Sequence, residues 1–199
     1  MDDTLLFETE RLVARPWRLD DAPAAFCIYG DPEVARYIGG HVETSVEGQR
    51  QTLSKILARF EGTPFGSWPL IEKAGGALVG TILLKPLPDR ARALSEDIEI
   101  GWHLARTAWG RGYATEAGRA CLGYAFGGLR LELVHAVVEP PNRASQAVCR
   151  RLGMDHHGRT QRYYGGIELE HFTIAAQPAP VSEPERAPLP PDAASDQQL

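Results

Sequence analysis

The sequence lacks an excess of basic residues and lacks any long apolar run. Its 21 Lys and Arg are outnumbered by 26 Asp and Glu, which gives a net charge of −5 over 199 residues. Nucleic-acid-binding proteins carry clustered positive charge, so we expect no nucleic-acid partner. No apolar stretch reaches the roughly 18 residues of a membrane span, and the acidic N-terminal segment has no basic region of a signal peptide. We therefore expect a cytoplasmic protein without a membrane partner.

Cysteine is also scarce, with only Cys27, Cys121 and Cys149 in the chain. The number is odd and no C-x-x-C pair occurs, so we expect free thiols in a reducing compartment and no disulfide framework or zinc site. The adjacent His156 and His157 have no third ligand at a telling spacing. The sequence therefore predicts no metal centre.

Aromatic residues are absent from the C-terminal segment, residues 176–199, which contains six prolines. Such a segment cannot bury enough apolar surface to offset the entropy lost on ordering, so we expect it to be disordered. The rest of the chain, residues 4–175, has the length of one domain with a substantial core.

The pattern of apolar residues, caps and breakers predicts an α/β fold with a mixed sheet. The expected order is a strand, short helices, three strands, a helix, a strand, a helix and two strands. Expected strands cover residues 11–17, two segments around Gly75-Gly76, and residues 96–104, 131–138, 154–164 and 167–175. Expected helices cover residues 20–29, 45–60, the segment ending near 126, and 142–152. The strand–helix–strand unit centred on residues 109–117 should be parallel.

The segment WGRGYATEA, residues 109–117, places a glycine-rich turn directly before a helix. The first N–H groups of a helix are unpaired, so this is a favourable place for a phosphate. The segment lacks the lysine of a Walker loop, and Thr115 stands where the third glycine of a dinucleotide fingerprint belongs. An NAD-binding oxidoreductase is therefore the weakest of the functions considered.

Three segments resemble the GNAT acetyltransferases. Residues 109–114 are similar to the acyl-CoA loop Q/R-x-x-G-x-G/A, with Trp109 where Gln or Arg is usual. NRASQAVCRRLGM, from Asn142, resembles an N-x-x-S…L-G-F element with Met154 in place of Phe, and ETERLVARPWRLDDA resembles the opening of the same branch. This branch contains the Rim-type N-terminal acetyltransferases of ribosomal proteins.

The resemblance implies a largely antiparallel sheet with a central, splayed parallel strand pair, flanking helices, and acetyl-CoA as cosubstrate. Backbone N–H groups of the loop would cradle the diphosphate, with Arg111 or Arg106 as a cationic partner. A backbone N–H near His103 or Leu104 would polarise the thioester carbonyl. Asn142 would contact the cofactor, although it also suits an N-cap. The implied cofactor-binding residues are His103, Leu104, Trp109, Gly110, Arg111, Gly112, Tyr113, Ala114, Thr115, Asn142 and Ser145.

The acid that protonates the leaving thiolate has two candidates. Many members of the family carry a tyrosine seven positions after the asparagine, but here that position is Cys149. In the Rim-type branch the serine of N-x-x-S is the donor, which corresponds to Ser145. We favour Ser145 over Cys149, since a buried helix cysteine is usually inert packing.

The base that receives the amine proton also has two candidates. Glu99 lies on the strand beside the expected slot, on the face opposite Ile98 and Ile100, although it could equally be a surface carboxylate. His157 is the second, because the Rim-type pattern often has a glutamate there and histidine titrates near neutral pH.

The function expected from this resemblance is acetyl transfer from acetyl-CoA to a primary amine by direct attack. The acceptor could be a protein N-terminus or a small amine, because a fold does not fix a substrate. A non-catalytic acyl-CoA-binding module is the alternative, motivated by the missing tyrosine. The sequence leaves open a monomer or a homodimer.

Overall fold

The computed structural model describes residues 5–177, in which five helices flank an eight-stranded sheet. The C-terminal segment predicted to be disordered falls, from residue 178 onward, outside the described residues. The strands are β1 (Phe7–Glu8), β2 (Leu12–Ala14), β3 (Gly66–Glu72), β4 (Leu78–Pro88), β5 (Leu94–Leu104), β6 (Leu133–Val138), β7 (Asp155–Thr160) and β8 (Leu169–Ala175). The helices are α1 (Ala22–Tyr29), α2 (Pro32–Ala35), α3 (Val46–Phe60), α4 (Tyr113–Gly123) and α5 (Arg143–Arg151).

The strand order is β1-β2-β3-β4-β5-β6-β8-β7. The only parallel neighbours in this described sheet are β5 and β6, at its centre, and every other pair is antiparallel. This is the mixed, largely antiparallel sheet with one parallel pair that the sequence predicted. It is not the doubly wound parallel sheet that binds dinucleotides.

The two faces of the sheet are covered by different helices. Ile98 and Ile100 of β5 belong to the main core together with apolar residues of α4 and α5. Side chains alternate along a strand, so Glu99 and His103 point to the opposite face. There α1 and α3 pack through a second cluster that includes Trp17 and Leu53.

Local signals placed most helix ends correctly. The Ser45 side chain accepts a hydrogen bond from the Gly48 N–H at 3.0 Å and caps α3. Asn142 caps α5 by accepting from the Ser145 N–H at 3.1 Å. Both caps satisfy N–H groups that a helix start leaves unpaired.

Several predicted boundaries were wrong. The first strand is a short hairpin, β1 and β2, rather than one strand over residues 11–17. After α4 the chain continues through a wider turn over Tyr124–Gly128 instead of a regular helix to residue 126. The predicted strand 154–164 ends at Thr160, because Tyr163 bridges to Asp89 of the β4–β5 connection. Residues 161–168 therefore form a loop across the sheet face rather than a tight hairpin.

Among the described residues, no helix is both long enough and apolar enough to cross a membrane.

Candidate functional site

Residues 109–115, which we call the glycine loop, link the short 3₁₀ turn after β5 to α4. Gly110 and Gly112 have φ values of +73° and +81°, which only glycine adopts without strain. Gly112 is the N-cap of α4, and its carbonyl accepts from the N–H groups of Thr115 and Glu116 at 3.1 and 3.0 Å. The glycines are therefore required by the backbone geometry of the helix start.

The glycine loop presents a row of unpaired backbone donors. Within the described residues, the N–H groups from Gly110 to Ala114 have no hydrogen-bond partner in the protein. The Thr115 N–H, which we predicted as part of the same cradle, is instead taken up by the Gly112 carbonyl. Unpaired N–H groups at a helix N-terminus form a site for an anion.

The arginines predicted to assist this site differ in their surroundings. The guanidinium of Arg111 lies 2.7 Å from Glu72 Oε1 in an ion pair. Tyr113 donates a very short hydrogen bond to the same oxygen. Arg106 is exposed, and no side-chain partner for it is found in residues 5–177. The backbone of Arg111 thus remains in the site while its side chain is engaged elsewhere, and Arg106 is the available cation.

Trp109 occupies the start of the glycine loop with 48% of its surface exposed. Its indole N–H donates to the Leu104 carbonyl at 3.0 Å. This contact ties the loop to the last residue of β5. The side chain therefore holds loop and strand together at the edge where the unpaired N–H groups lie.

The parallel strands β5 and β6 touch over a very short length. Glu99 and His135 are their one registered pair among the described residues, although β5 is in continuous register with β4 from Ile98 to Leu104. The last residues of β5 and β6 are therefore not paired with each other. We call this gap between the ends of β5 and β6 the slot.

The slot-facing edge of β5 offers a backbone donor. The Ala105 N–H points away from β6 and donates to the Val79 carbonyl of β4 at 2.9 Å. Because N–H groups alternate in direction along a strand, the Leu104 N–H points toward β6. Of the two residues proposed to polarise a carbonyl, Leu104 is the one whose amide faces the slot.

Gly101 of β5 sits in a regular ladder opposite Leu83 of β4. A Cβ at this position would lie 3.0 Å from Leu83 Cδ1. The β4–β5 irregularity lies instead between Pro86 and Pro88. Packing against Leu83 therefore accounts for this glycine.

The N-terminus of α5 follows β6 and lies at the same edge of the sheet as the glycine loop. The cap hydrogen bond occupies the Asn142 side-chain oxygen, which leaves its amide NH₂ available. The Ser145 hydroxyl is half-buried and makes no hydrogen bond within the described structure. Two helix N-termini with unpaired donors therefore flank the slot.

Cys149, one turn further along α5, lies fully buried in the main core. Burial raises the pKa of its thiol to about 12. Cys149 is thus closed off inside the core, whereas Ser145 is half-buried at the N-terminus of the same helix. All three cysteines are free thiols, as predicted.

Glu99 is buried on the sheet face opposite α4 and α5, with 7% of its surface exposed. Its Oε2 accepts from the Tyr164 hydroxyl at 2.5 Å and lies 3.3 Å from Lys85 Nζ. Burial raises the pKa of the Glu99 carboxyl, although Lys85 and Tyr164 act in the opposite direction. Oε1 has no partner in the described part of the chain and can accept a proton.

Lys85 and Tyr164 were not predicted as part of the site. Lys85 faces Glu99 across the β4–β5 ladder, so alternation along two paired strands could have indicated it. Tyr164 comes from the loop 161–168, of which the sequence predicted residues 161–164 to be strand, and no local signal places it against Glu99.

The His103 side chain forms a second polar group on the same face. Its Nδ1 lies 3.2 Å from the Tyr29 hydroxyl, which is 2.8 Å from Thr81 Oγ1. Burial foremost, with Lys85 adding to it, lowers the pKa of His103 to about 4. The imidazole is therefore neutral at pH 7, with its Nε2 unpartnered among residues 5–177.

His157 lies on β7, the outermost strand, while β8 separates β7 from the parallel pair. The ring is exposed, and its Nε2 is 2.6 Å from Thr173 Oγ1. Its neighbour His156 pairs with Glu170 at 2.7 Å. β8 thus separates His157 from the parallel pair, whereas Glu99 lies on β5 itself, at the position where β5 pairs with β6. Within the described residues, no group of three or more His, Cys, Asp or Glu is arranged to hold a metal ion.

Comparison with known proteins agrees with this geometry. A family model described as "Acetyltransferase (GNAT) domain" matches residues 11–155. The uncharacterized N-acetyltransferase p20 of Bacillus licheniformis is 30% identical over 156 residues, covering 78% of this chain and 85% of that protein.

Solved structures show the same fold. An acetyltransferase of the GNAT family from Bacillus anthracis superimposes with a TM-score of 0.72 and 26% identity, covering 87% of this chain and 99% of that one. The ribosomal-protein-S5-alanine acetyltransferase from Vibrio fischeri superimposes with a TM-score of 0.67, covering 87% and 97%. At 18% identity the latter likeness shows the fold alone.

Proposed function

The chain belongs to the GNAT acetyltransferase family, and on that premise we propose that it transfers an acetyl group from acetyl-CoA to a primary amine. The amine attacks the thioester directly, with no covalent enzyme intermediate. The observation that carries this proposal is the row of unpaired N–H groups from Gly110 to Ala114, placed beside the gap between β5 and β6. A row of donors beside a gap between strands suits a ligand with a diphosphate at one end and a narrow arm leading to the reacting carbonyl.

The glycine loop binds the diphosphate of acetyl-CoA through its backbone donors, and the dipole of α4 adds favourable charge. Arg106 supplies a positive side chain near the 3₁₀ turn before the loop. The Asn142 amide NH₂ donates to the pantetheine arm from the other side of the slot. These donors hold the thioester in one orientation, which is the largest part of what a direct-transfer enzyme must do.

The Leu104 N–H donates to the thioester carbonyl in the slot. Negative charge develops on that oxygen as the amine attacks, and a fixed backbone donor stabilises it. The side chain of Leu104 is not required for this role, which is why the sequence shows no polar residue at the position.

Glu99 receives the proton that the amine loses when its nitrogen bonds to the acetyl carbon. Its raised pKa makes it a stronger base than an ordinary carboxylate, and its Oε1 is unpartnered in the described structure. The Ser145 hydroxyl gives its proton to the thiolate as the carbon–sulfur bond breaks and takes a proton back from solvent, to which Glu99 later releases its own. One proton is thus taken and one supplied, and the products are an amide and CoA.

We propose a protein N-terminus or a small primary amine as the acceptor. An α-amine, with a pKa near 7.7–8.0, is roughly a tenth neutral at pH 7, whereas lysine, near 10.4, is almost wholly protonated. The Rim-type features at Trp109 and in the Asn142 segment support the N-terminus. The Vibrio fischeri neighbour, which shares only the fold, is named for an alanine of a ribosomal protein as its acceptor.

A non-catalytic acyl-CoA-binding module is the second candidate, because Cys149 replaces the usual tyrosine and is buried. Thermal melts with acetyl-CoA, CoA and NAD test the binding shared by both candidates. A ligand at 100 times its Kd stabilises by about 2.7 kcal/mol, which is a Tm increase of about 5–10 °C for a domain of this size. An increase with both CoA species and none with NAD is expected.

Release of free CoA thiol in the presence of an amine panel then separates the two candidates. The panel contains peptides with free N-termini, the same peptides N-acetylated, and small primary amines. Turnover with any unblocked amine excludes the binding module. No Tm increase with either CoA species at millimolar concentration would contradict both candidates.

A further inference from the structure

Arg11 anchors the glycine loop from the opposite end of the chain. It lies in the β1–β2 connection, within the ETERL segment that the proposed chemistry leaves without a role. Its Nη1 donates to the main-chain carbonyl of Arg111 at 3.0 Å, and its Nε donates to Glu116 Oε2 at 2.7 Å. The guanidinium carbon also lies 4.7 Å from the centre of the Tyr113 ring. One side chain thus contacts the loop, the first residue of α4 and Glu116 in the first turn of the same helix.

The contact with the Arg111 carbonyl determines where the next N–H points. No described peptide bond is cis, and in a planar trans peptide the C=O and the following N–H point in opposite directions. With the Arg111 carbonyl held on Arg11, the Gly112 N–H is directed away from Arg11. This N–H is one of the unpaired donors of the glycine loop.

The contact with Glu116 concerns charge. Glu116 lies in the first turn of α4, the same turn at which the unpaired N–H groups of the glycine loop end. An uncompensated negative charge there would oppose the binding of an anion. The Thr9 hydroxyl and the Arg11 N–H donate to Glu116 Oε1 at 2.6 and 3.0 Å, and the Arg11 guanidinium neutralises it.

The groups around Arg11 are also connected to one another. Arg111 stacks on Tyr113 with its guanidinium carbon also 4.7 Å from the ring centre, and Glu72 holds Arg111 and the Tyr113 hydroxyl. Since these cations are paired with carboxylates, this side of the loop is not itself arranged to capture an anion. Its role is to fix the backbone whose N–H groups point the other way.

We propose that Arg11 is a positioning residue for acyl-CoA: it orients the Gly112 N–H and neutralises Glu116. This rests on the proposed function, because it assumes that the glycine loop binds the diphosphate. A merely structural Arg11 would connect the β1–β2 hairpin to α4, so that its loss would lower stability without altering affinity. Affinity for CoA measured apart from stability therefore decides between the two.

The test is isothermal titration of CoA into wild type, Arg11→Ala, Glu116→Gln and the double variant, with the ligand-free Tm of each. Arg11→Ala should weaken CoA binding about tenfold or more, because an orientation and a charge are both lost. Glu116→Gln alone should change it by less than about threefold. The double variant should regain part of the affinity lost in Arg11→Ala, since the opposing carboxylate is gone while the carbonyl is still not held.

Two further variants are included, one for the case that Arg11→Ala unfolds and one as a control for nonspecific effects. Arg11→Lys keeps a positive charge but not the planar fork that reaches two acceptors, so its affinity should lie between wild type and Arg11→Ala even if the alanine variant unfolds. Arg119→Ala removes an exposed arginine of α4 away from the loop and should leave the Kd unchanged. At saturating acetyl-CoA, kcat of Arg11→Lys should stay within about twofold of wild type, with the KM for acetyl-CoA raised.

Wild-type affinity in Arg11→Ala and Arg11→Lys, with only a lowered Tm, would overturn the assignment. If the double variant bound CoA no more tightly than Arg11→Ala, neutralisation of Glu116 would be removed from the role assigned to Arg11. Failure of wild type to bind CoA at all would overturn the proposed function, and the assignment with it. The wild-type titration therefore distinguishes the two failures.

Discussion

The Tyr164 hydroxyl lies 2.5 Å from a carboxylate oxygen of Glu99, although 65 residues separate the two in the chain. The same oxygen faces Lys85 at 3.3 Å. The contact exists because residues 161–168 fold back across the sheet face rather than continuing β7. It turns a glutamate of an alternating strand into a buried carboxyl with one oxygen engaged and one available.

Replacing Glu99 with Gln should lower kcat about 100-fold or more, because general-base assistance contributes roughly 10²–10⁴-fold. Affinity for CoA, measured by titration, should change little, since Glu99 lies away from the glycine loop. Glu96→Gln, an exposed glutamate of the same strand, is the matched control and should behave as wild type. An unchanged kcat in Glu99→Gln would remove Glu99 as the base.

Replacing Tyr164 with Phe should move the acid limb of the kcat–pH profile to higher pH. The hydrogen bond from Tyr164 favours the ionised form of Glu99, so its loss raises a pKa that burial has already raised. Activity requires the ionised carboxylate and therefore begins only at a higher pH. Tyr163→Phe, which removes a neighbouring hydroxyl that donates to Asp97 instead, should leave the limb in place. Equal shifts in both variants would contradict this account.

Replacing each of the two candidate acids with alanine should have opposite effects on kcat and on stability. Ser145→Ala should lower kcat about tenfold or more with a nearly unchanged Tm, because the hydroxyl makes no internal hydrogen bond in the described structure. Cys149→Ala should keep kcat and lower stability by about 1 kcal/mol, since it empties space in a packed core. Steady-state kinetics and urea unfolding of both variants measure this. Loss of kcat in Cys149→Ala alone would reverse the assignment.

His103→Gln should reduce the acid sensitivity of the fold. The pKa of His103 is lowered in the folded protein to about 4 from an ordinary 6.5, chiefly by burial. Between those values the unfolded chain binds more protons at His103 than the folded protein does. The contribution of His103 to the free energy of unfolding is therefore fully present above about pH 6.5 and decreases as the pH falls toward 4. The variant loses this contribution, and its free energy of unfolding should vary less over that range.

Urea unfolding of His103→Gln and wild type at several pH values between 7.5 and 4.5 measures the difference in slope. His41→Gln, at an exposed histidine, provides the control and should follow wild type. Parallel curves for wild type and His103→Gln would show that His103 is not held neutral by its burial beneath Tyr29.

Features set by neighbours in the chain were predictable. The glycine loop and the caps at Ser45 and Asn142 depend on residues within a few positions of one another, where backbone conformation and hydrogen-bonding groups are local properties. The boundaries that failed, at residues 15–17 and 161–164, lie where contact with another segment overrides local preference.

What the sequence determined by itself is therefore the fold class, the glycine loop and the residue types around the slot. Only the tertiary structure decided that Cys149 is buried, that Glu99 is held by Tyr164, and that Arg11 faces Glu116 across 105 residues. The physical reason is that the pKa of an acid, and the direction in which an N–H points, depend on burial and on partners that the fold brings together from distant segments.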